Sequence, residues 1–496
     1  PSKDSCAHNE QSRKRHRITV PSIACKETSK CVFEWFSVRI RDTGIIRISV
    51  TVDLNLCLCR VEPCYRWSLM ILMRNGMIVA VPFFALGILY YNKFVAIQNA
   101  TPIIMWWTPF SSPEDHVKQC KLGHCLITSD RSHYKSKSKK AILFYGSDFV
   151  PYDLPLPRAK NDLWGLLHEE SPKNKPIFSY AAALTLFNLT STFKPQSHFP
   201  LHLLHLESLE VLTDLRYFIS IQDKNSFQKN ESLASVAYVQ SSCDTPSERD
   251  DYVCELMKYI KIDSLGHCLH NKDLPEGMKE PMSQMMSEGF LKLLSKYKFI
   301  LSFENAVCDY YVTEKLWRPL IIGSVPIYFG SPQVKELIPH PDSVILVQDF
   351  PTPKHLADYL LLLNANDTLY MSHLQHKENK IINDHLIREM KNRPWETVQD
   401  DHDTFTFVDN FECGVCDILH ELKDGVQYNY RAQEDHYGCP LSITALTREI
   451  STSGWWHEQW KTAKHEADTL LNLSRKNTPF SANDFYGQVG NLLMSH

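Results

Sequence analysis

Residues 303–332 read FENAVCDYYVTEKLWRPLIIGSVPIYFGSP. The apolar run Phe299–Phe303 that leads into them has the length and bounds of a buried strand. The chain then sets Asn305, Tyr311, Glu314 and Lys315 at the start of a helix and enters a second strand, Ser324–Phe329, closed by Gly330-Ser331-Pro332. Thr313 is a natural N-cap, because its hydroxyl can accept a free backbone N–H of the first turn. A helix start carries partial positive charge and unpaired amides, which suit a phosphate. Lys315 adds a full charge, Glu314 offers an acceptor for ribose hydroxyls, and Asn305 and Tyr311 offer neutral hydrogen bonds. Together these residues point to a sugar-nucleotide site. The same spacing also fits an ordinary helix start with Leu316, Leu320 and Ile321 in the core, and Pro319 shortens or kinks that helix.

Working outward, short apolar runs alternate with helical segments. Pro102–Trp107, Ala141–Tyr145, Leu184–Phe187, Ala237–Gln240 and Val344–Val347 read as buried strands. Asp250–Ile260, Gly289–Tyr297 and His355–Leu363 read as helices, and the polar stretch Gln222–Ser232 as a linker. This β-α-β-α order predicts parallel sheets with helical crossovers. A ligand then sits outside the carboxyl ends of the strands, where Asn305 lies. The expected organisation is an α/β half over 101–230, a second over 231–375, and a helical, disulfide-bearing tail over 376–496.

A chain of 496 residues, 43% hydrophobic and 22% charged, is long enough for one large or two ordinary cores. Its net charge of −4 supplies no polybasic surface for nucleic acid. Residues 1–67 show no sustained pattern and read as a poorly defined N-terminal region. Within 68–91 the run Met77–Tyr91 (MIVAVPFFALGILYY) follows Arg74, and with Ser68–Met73 it approaches a bilayer span of ~20 residues. A type II signal anchor, a cleaved signal peptide and a buried core helix all fit it. Sequons at Asn99, Asn188, Asn230, Asn366 and Asn472 agree with translocation. Cys120/Cys125 and Cys413/Cys416 suggest disulfides, with one cysteine of the nine after residue 100 left over. Zinc at Cys413-x-x-Cys416 is the alternative.

The run Glu304-Asn305 followed by Tyr311-Val312-Thr313-Glu314-Lys315 resembles the signature of the α1,3-fucosyltransferase family, glycosyltransferase family 10. The resemblance extends over about 102–439. It implies a glycosyltransferase B arrangement: two Rossmann-like domains facing a cleft, preceded by an N-terminal membrane anchor, in the Golgi or endoplasmic reticulum with the catalytic part lumenal. It further implies that Asn305, Tyr311, Glu314 and Lys315 contact GDP-fucose.

Two other segments carry the chemistry. In Leu167–Pro172 (LHEESP) the match makes Glu170 the general base that takes the acceptor's proton, with Glu169 second. Two adjacent glutamates cannot flank a bond from opposite sides, which argues against a two-carboxylate glycosidase. In Gln240–Asp250 (QSSCDTPSERD) the match places Arg249 on the diphosphate, a task for which a guanidinium is suited. Without those matches, Glu169 and Glu170 read as a solvated turn and Arg249 as a surface partner of Asp251 or Glu255. With Arg249 and Lys315 neutralising the leaving group, no metal is expected. Where family members usually carry Tyr-Arg-Arg-Asp-Ser-Asp, this chain has Phe193-Lys194-Pro195-Gln196-Ser197-His198. That departure resembles the divergent subgroup numbered ten and eleven. It leaves two acceptors open: GlcNAc of N-glycans, or Ser/Thr of folded extracellular domains of the EMI type. A catalytically silent lumenal GDP-sugar-binding protein, and an enzyme of this arrangement using another nucleotide, are the competing readings.

Overall fold

The structure, a computed structural model, describes residues 37–42, 48–55, 66–72, 101–108, 110, 115–275, 278, 285–396, 404–423 and 428–494. The chain divides into two units, Pro1–Asn99 and Ala100–His496. In the first, β1 (Ser37–Asp42), β2 (Ile48–Asn55) and β3 (Arg66–Leu72) form an antiparallel sheet in that order. The expected anchor, 68–91, therefore begins inside a strand, and its remainder lies outside the described residues. Among the described residues no helix is long and apolar enough to cross a membrane.

The second unit holds two sheets. β4 (Ile103–Trp106), β5 (His116–Gln119), β6 (His124–Thr128), β7 (Lys140–Tyr145), β8 (Leu163–His168) and β9 (Leu189–Thr192) form one, ordered β5-β6-β4-β7-β8-β9. All its pairs are parallel except the edge hairpin of β5 with β6. β10 (Val236–Tyr238), β11 (Ile262–Ser264), β12 (Phe299–Phe303), β13 (Val325–Phe329) and β14 (Ile345–Leu346) form an all-parallel sheet, ordered β11-β10-β12-β13-β14. Strands such as IIMW and FILSF are buried along their whole length. That is what helices on both faces of a parallel sheet require.

The helices that matter to the site are α1 (Ala181–Leu184), α2 (Ile221–Asn230), α3 (Arg249–Leu256), α4 (Glu288–Leu294), α5 (Glu314–Ile322) and α6 (Pro353–Ala365). Three more, α7 (Phe407–Glu421), α8 (Trp455–Arg475) and α9 (Ala482–Met494), return to the six-stranded sheet. Phe411, Val415 and Leu419 of α7 pack in one core with Ile104, Leu143 and Leu167. Leu470, Leu473, Phe485 and Val489 pack in another with Met105, Phe144 and Trp164, the alternate side chains of the same strands. The tail thus supplies cover for both faces of a sheet built some 300 residues earlier. Disulfides Cys120–Cys413 and Cys125–Cys416 fasten α7 to the β5–β6 hairpin.

Three expectations are corrected. Gln222–Ser232 is no linker but lies largely in α2, capped by Ser220, whose hydroxyl accepts from Asp223 N at 3.1 Å. Leu184–Phe187 is not a strand: Leu184 ends α1 and the ladder starts at Asn188, whose N–H reaches Trp164 O at 2.7 Å. Asn188 is also no glycan acceptor. It is 2% exposed, its Oδ1 accepts from Trp164 N and Arg158, and its Nδ2 donates to Tyr430 O.

Candidate active site

The site begins where β12 ends. Glu304 N donates to Phe329 O, so Glu304 extends the ladder with its carboxylate fully buried. That carboxylate accepts from Thr313 N at 2.8 Å and from the Thr313 hydroxyl at 2.9 and 3.1 Å. The eight residues between the two are thereby closed into a loop that delivers α5. Thr313 caps α5 as expected, accepting from Lys315 N at 3.4 Å, and Gly323 ends it in the left-handed region at φ 70°. Gly330 is needed beside this clasp, since a Cβ there would lie 2.7 Å from Glu304 Cγ and 2.4 Å from the Tyr328 hydroxyl.

Lys315 lies over three acidic or polar partners: Glu314 Oε1 at 3.1 Å, Thr313 Oγ1 at 3.1 Å and Glu304 Oε2 at 3.7 Å. Burial opposes its charge, but Glu314 and Glu304 outweigh burial and hold its pKa above the usual value. Burial likewise raises Glu304, to about 6, with Lys315 pulling the other way. For Glu314 burial is overcome by Lys315, His205 and Arg318, which keep it ionised.

Arg249 opens α3 and is 2% exposed. Its two terminal nitrogens donate to Phe303 O and Ser242 O, each at 2.8 Å, so it pairs with backbone at the end of β12 rather than with Asp251 or Glu255. Its Nε is buried and without a partner. Across from it, β8 ends at His168 and the chain turns through Glu169 and Glu170. Ser171 Oγ donates to Asn305 Oδ1 at 2.6 Å, joining the turn after β8 to the turn after β12. The two strands' carboxyl ends therefore meet.

Glu170 accepts from the Tyr311 hydroxyl at 3.1 Å through Oε2, and its carbonyl accepts from the Tyr437 hydroxyl at 2.9 Å. Burial, then the charge of Glu170, pushes the Tyr311 phenol well above its ordinary pKa, so it remains a donor. Glu169 points elsewhere. Its Oε1 accepts from the Tyr145 hydroxyl at 2.5 Å, its Oε2 is buried without a partner, and burial raises its pKa to about 7.

One cavity of about 840 Å³ collects most of these groups: Glu170, Arg249, Asn305, Glu314 and Lys315 line it. Tyr311 does not; it lies behind Glu170 and reaches the cavity only through that carboxylate. The remaining wall combines apolar side chains such as Leu265, Leu274 and Phe290 with His267, His270 and Asp273. This volume falls within the range of small-ligand sites. The sequence reading missed Lys173 and Arg318, which also line it. Arg318 had a signal, its i,i+4 spacing from Glu314, and the two stand 3.5 Å apart. Cys413 and Cys416, the alternative zinc ligands, are each bonded to another cysteine and present no thiolate. Among the described residues Cys254 alone is unpaired.

Comparison with known proteins defines the class first. Residues 98–203 match "Fucosyltransferase, N-terminal" and residues 228–433 match "Glycosyltransferase family 10 (fucosyltransferase) C-term". The chain belongs to glycosyltransferase family 10 and is a glycosyltransferase of the fucosyltransferase type. Among its relatives, a human protein named GDP-fucose protein O-fucosyltransferase 3 is 41% identical over 415 residues, 81% of this chain and 86% of that one. A Xenopus tropicalis protein of the same name is 43% identical over 399 residues, 78% of this chain and 84% of that one. A crystal structure of an alpha1,3-fucosyltransferase with GDP-fucose covers 66% of this chain and 92% of its own, with 16% identity and a TM-score of 0.36. So loose a superposition carries no argument about the site.

Proposed function

We propose that the chain transfers L-fucose from GDP-β-L-fucose, with inversion, to a hydroxyl of a protein acceptor. In this reading the acceptor oxygen attacks C1 as Glu170 takes its proton, and the bond from C1 to the β-phosphate oxygen breaks, releasing GDP. Tyr311, by donating to Glu170 Oε2, leaves the other oxygen of that carboxylate for the acceptor. Arg249 and Lys315 hold the diphosphate, Glu314 the ribose and Asn305 the sugar. Stabilising the charge that develops on the leaving group is often the largest catalytic contribution, and two cations supply it without a metal. The observation that carries the reading is the meeting of Glu170 with Arg249 and Lys315 around one cavity, although they stand on two sheets.

The same reading takes 101–230 and 231–375 as the two facing domains of a glycosyltransferase B arrangement, with 376–496 as a tail. It also assigns the chain to the lumen of the Golgi or endoplasmic reticulum, held by a type II anchor near 68–91. Four disulfides support an oxidising compartment. Between the two acceptors, the relatives' name, GDP-fucose protein O-fucosyltransferase 3, favours a hydroxyl of the protein itself over N-glycan GlcNAc. The test is mass spectrometry of both acceptors incubated with enzyme and GDP-fucose in EDTA. Addition of fucose to the folded domain is expected, and Glu170→Gln is expected to abolish it while GDP still protects against thermal unfolding. Undiminished transfer by Glu170→Gln would remove the base from this mechanism.

A further inference from the structure

The turn that carries Glu170 also carries Lys173. Ser171 and Pro172 are buried, Asn174 N donates to Ser171 O at 3.1 Å, and Lys173 N donates to Ser171 Oγ at 3.3 Å. The same Ser171 hydroxyl is bound to Asn305, so the backbone at Lys173 is held at the junction of the two sheets. Its side chain is half-buried and lines the cavity with Arg249 and Lys315. Among the described residues no carboxylate stands within ion-pair distance of its ammonium. Burial and then Arg249 weigh against its charge, Glu170 and Asp244 favour it, and Lys315 again opposes it. Of the other cations in this wall, Lys315 and Arg318 have Glu314 as a partner and Arg249 has two carbonyls. Lys173 has no such occupation. Like charges gathered in a partly buried wall cost free energy unless a polyanion joins them.

We propose that Lys173 is a third diphosphate-binding cation, contributed by the six-stranded sheet and directed at the β-phosphate of the donor. The assignment rests on the GDP-sugar reading above. The base acts at the hydroxyl that attacks C1, and C1 is bonded to the β-phosphate oxygen, so a long cationic side chain three residues beyond Glu170 stands at that end of the nucleotide. Donor binding would then tie the turn bearing the base to the opposite sheet's cations.

The discriminating probes are GDP and GMP, which differ by the β-phosphate alone. Calorimetry on the purified chain should show Lys173→Met weakening GDP about 10- to 100-fold, the range of a charged hydrogen bond, with GMP changed less than about twofold. Lys173→Arg should recover most of the loss, and the transfer rate should fall in parallel in Lys173→Met with no drop in melting temperature. Equal weakening of both nucleotides, or no weakening of GDP, overturns the assignment. Failure of the unaltered chain to bind either nucleotide overturns the donor reading instead.

Discussion

Lys315→Met removes one charge and keeps most of the side chain's stem. Lys315 faces Glu304 at 3.7 Å and Glu314 at 3.1 Å. Glu314 retains Arg318, but Glu304 is left with Thr313 as its hydrogen-bond donor and only the charge of Arg318, beyond ion-pair distance, to offset its own. A charge pair near 4 Å is worth about 4 kcal/mol at an effective dielectric of about 20, and stranding one partner of a buried pair costs about 3–5 kcal/mol. The loss has a pH signature. Glu304 already titrates near 6 because it is buried, and losing Lys315 moves it higher. An acid raised in the folded state destabilises only when ionised, so the deficit is largest above pH 7 and shrinks as the pH falls toward 5. Thermal unfolding of both proteins across pH 5–8 measures this. Adding Glu304→Gln removes the stranded charge and keeps an acceptor for Thr313 N–H, so most of the stability should return. Transfer should not. Loss of a cation on the leaving group is expected to lower kcat/KM about 10²- to 10³-fold in both the single and the double variant. Recovery of activity along with stability in the double variant would mean that Lys315 serves only to neutralise Glu304.

Glu169 yields a prediction of opposite sense. Its pKa is raised to about 7 against an ordinary 4.5, so its ionisation costs stability as the pH rises through 7 and costs nothing below 4.5. Glu169→Gln should therefore raise the melting temperature at pH 8 and leave it unchanged at pH 4, with the gain building up between pH 4.5 and 7; equal effects at pH 4 and pH 8 would refute the buried carboxyl. The paired disulfides should behave non-additively. With its neighbour intact, either Cys120–Cys413 or Cys125–Cys416 closes only a ring of roughly ten residues, worth about 3 kcal/mol in the chain-entropy account. With both gone a loop of 291 residues opens as well, and the cost rises to roughly 8 kcal/mol. Denaturant titration of the Cys→Ala pairs, singly and together, reads this, and strictly additive losses would contradict it.

The stretch 299–329 was legible because most local signals in it agree, two largely apolar strands and a threonine cap among them; Pro319 pointed the other way, yet the helix runs through it from Glu314 to Ile322 and stops at Gly323. Its strands and helix fall within a residue or two of expectation. α2 was not legible, because at its core position stands Lys224, fully buried. The ammonium donates to Ser295 O, Tyr297 O and Ser324 Oγ at 2.6, 2.8 and 3.2 Å, and no hydropathy period can register a lysine used as a bolt. Asn188 misled in the same way, since a sequon says nothing of whether its amide is already occupied. In the site, charge and spacing marked Glu314 and Lys315. The gathering of Glu170 and Arg249 with them depends on tertiary contacts such as Ser171 with Asn305, which the resemblance implied and spacing did not. The one leftover cysteine was countable, but which sulfur meets which was not.

The attachment of α7 to the β5–β6 hairpin has a bearing on biosynthesis. A ribosome releases Cys120 and Cys125 while their mates, 293 and 291 positions downstream, are still untranslated. For that interval the nearest available thiol to each is the other, so a premature 120–125 crosslink is the expected kinetic trap. Nascent molecules should depend on an isomerase, and a truncation that ends before residue 413 should accumulate in that mispaired form rather than mature.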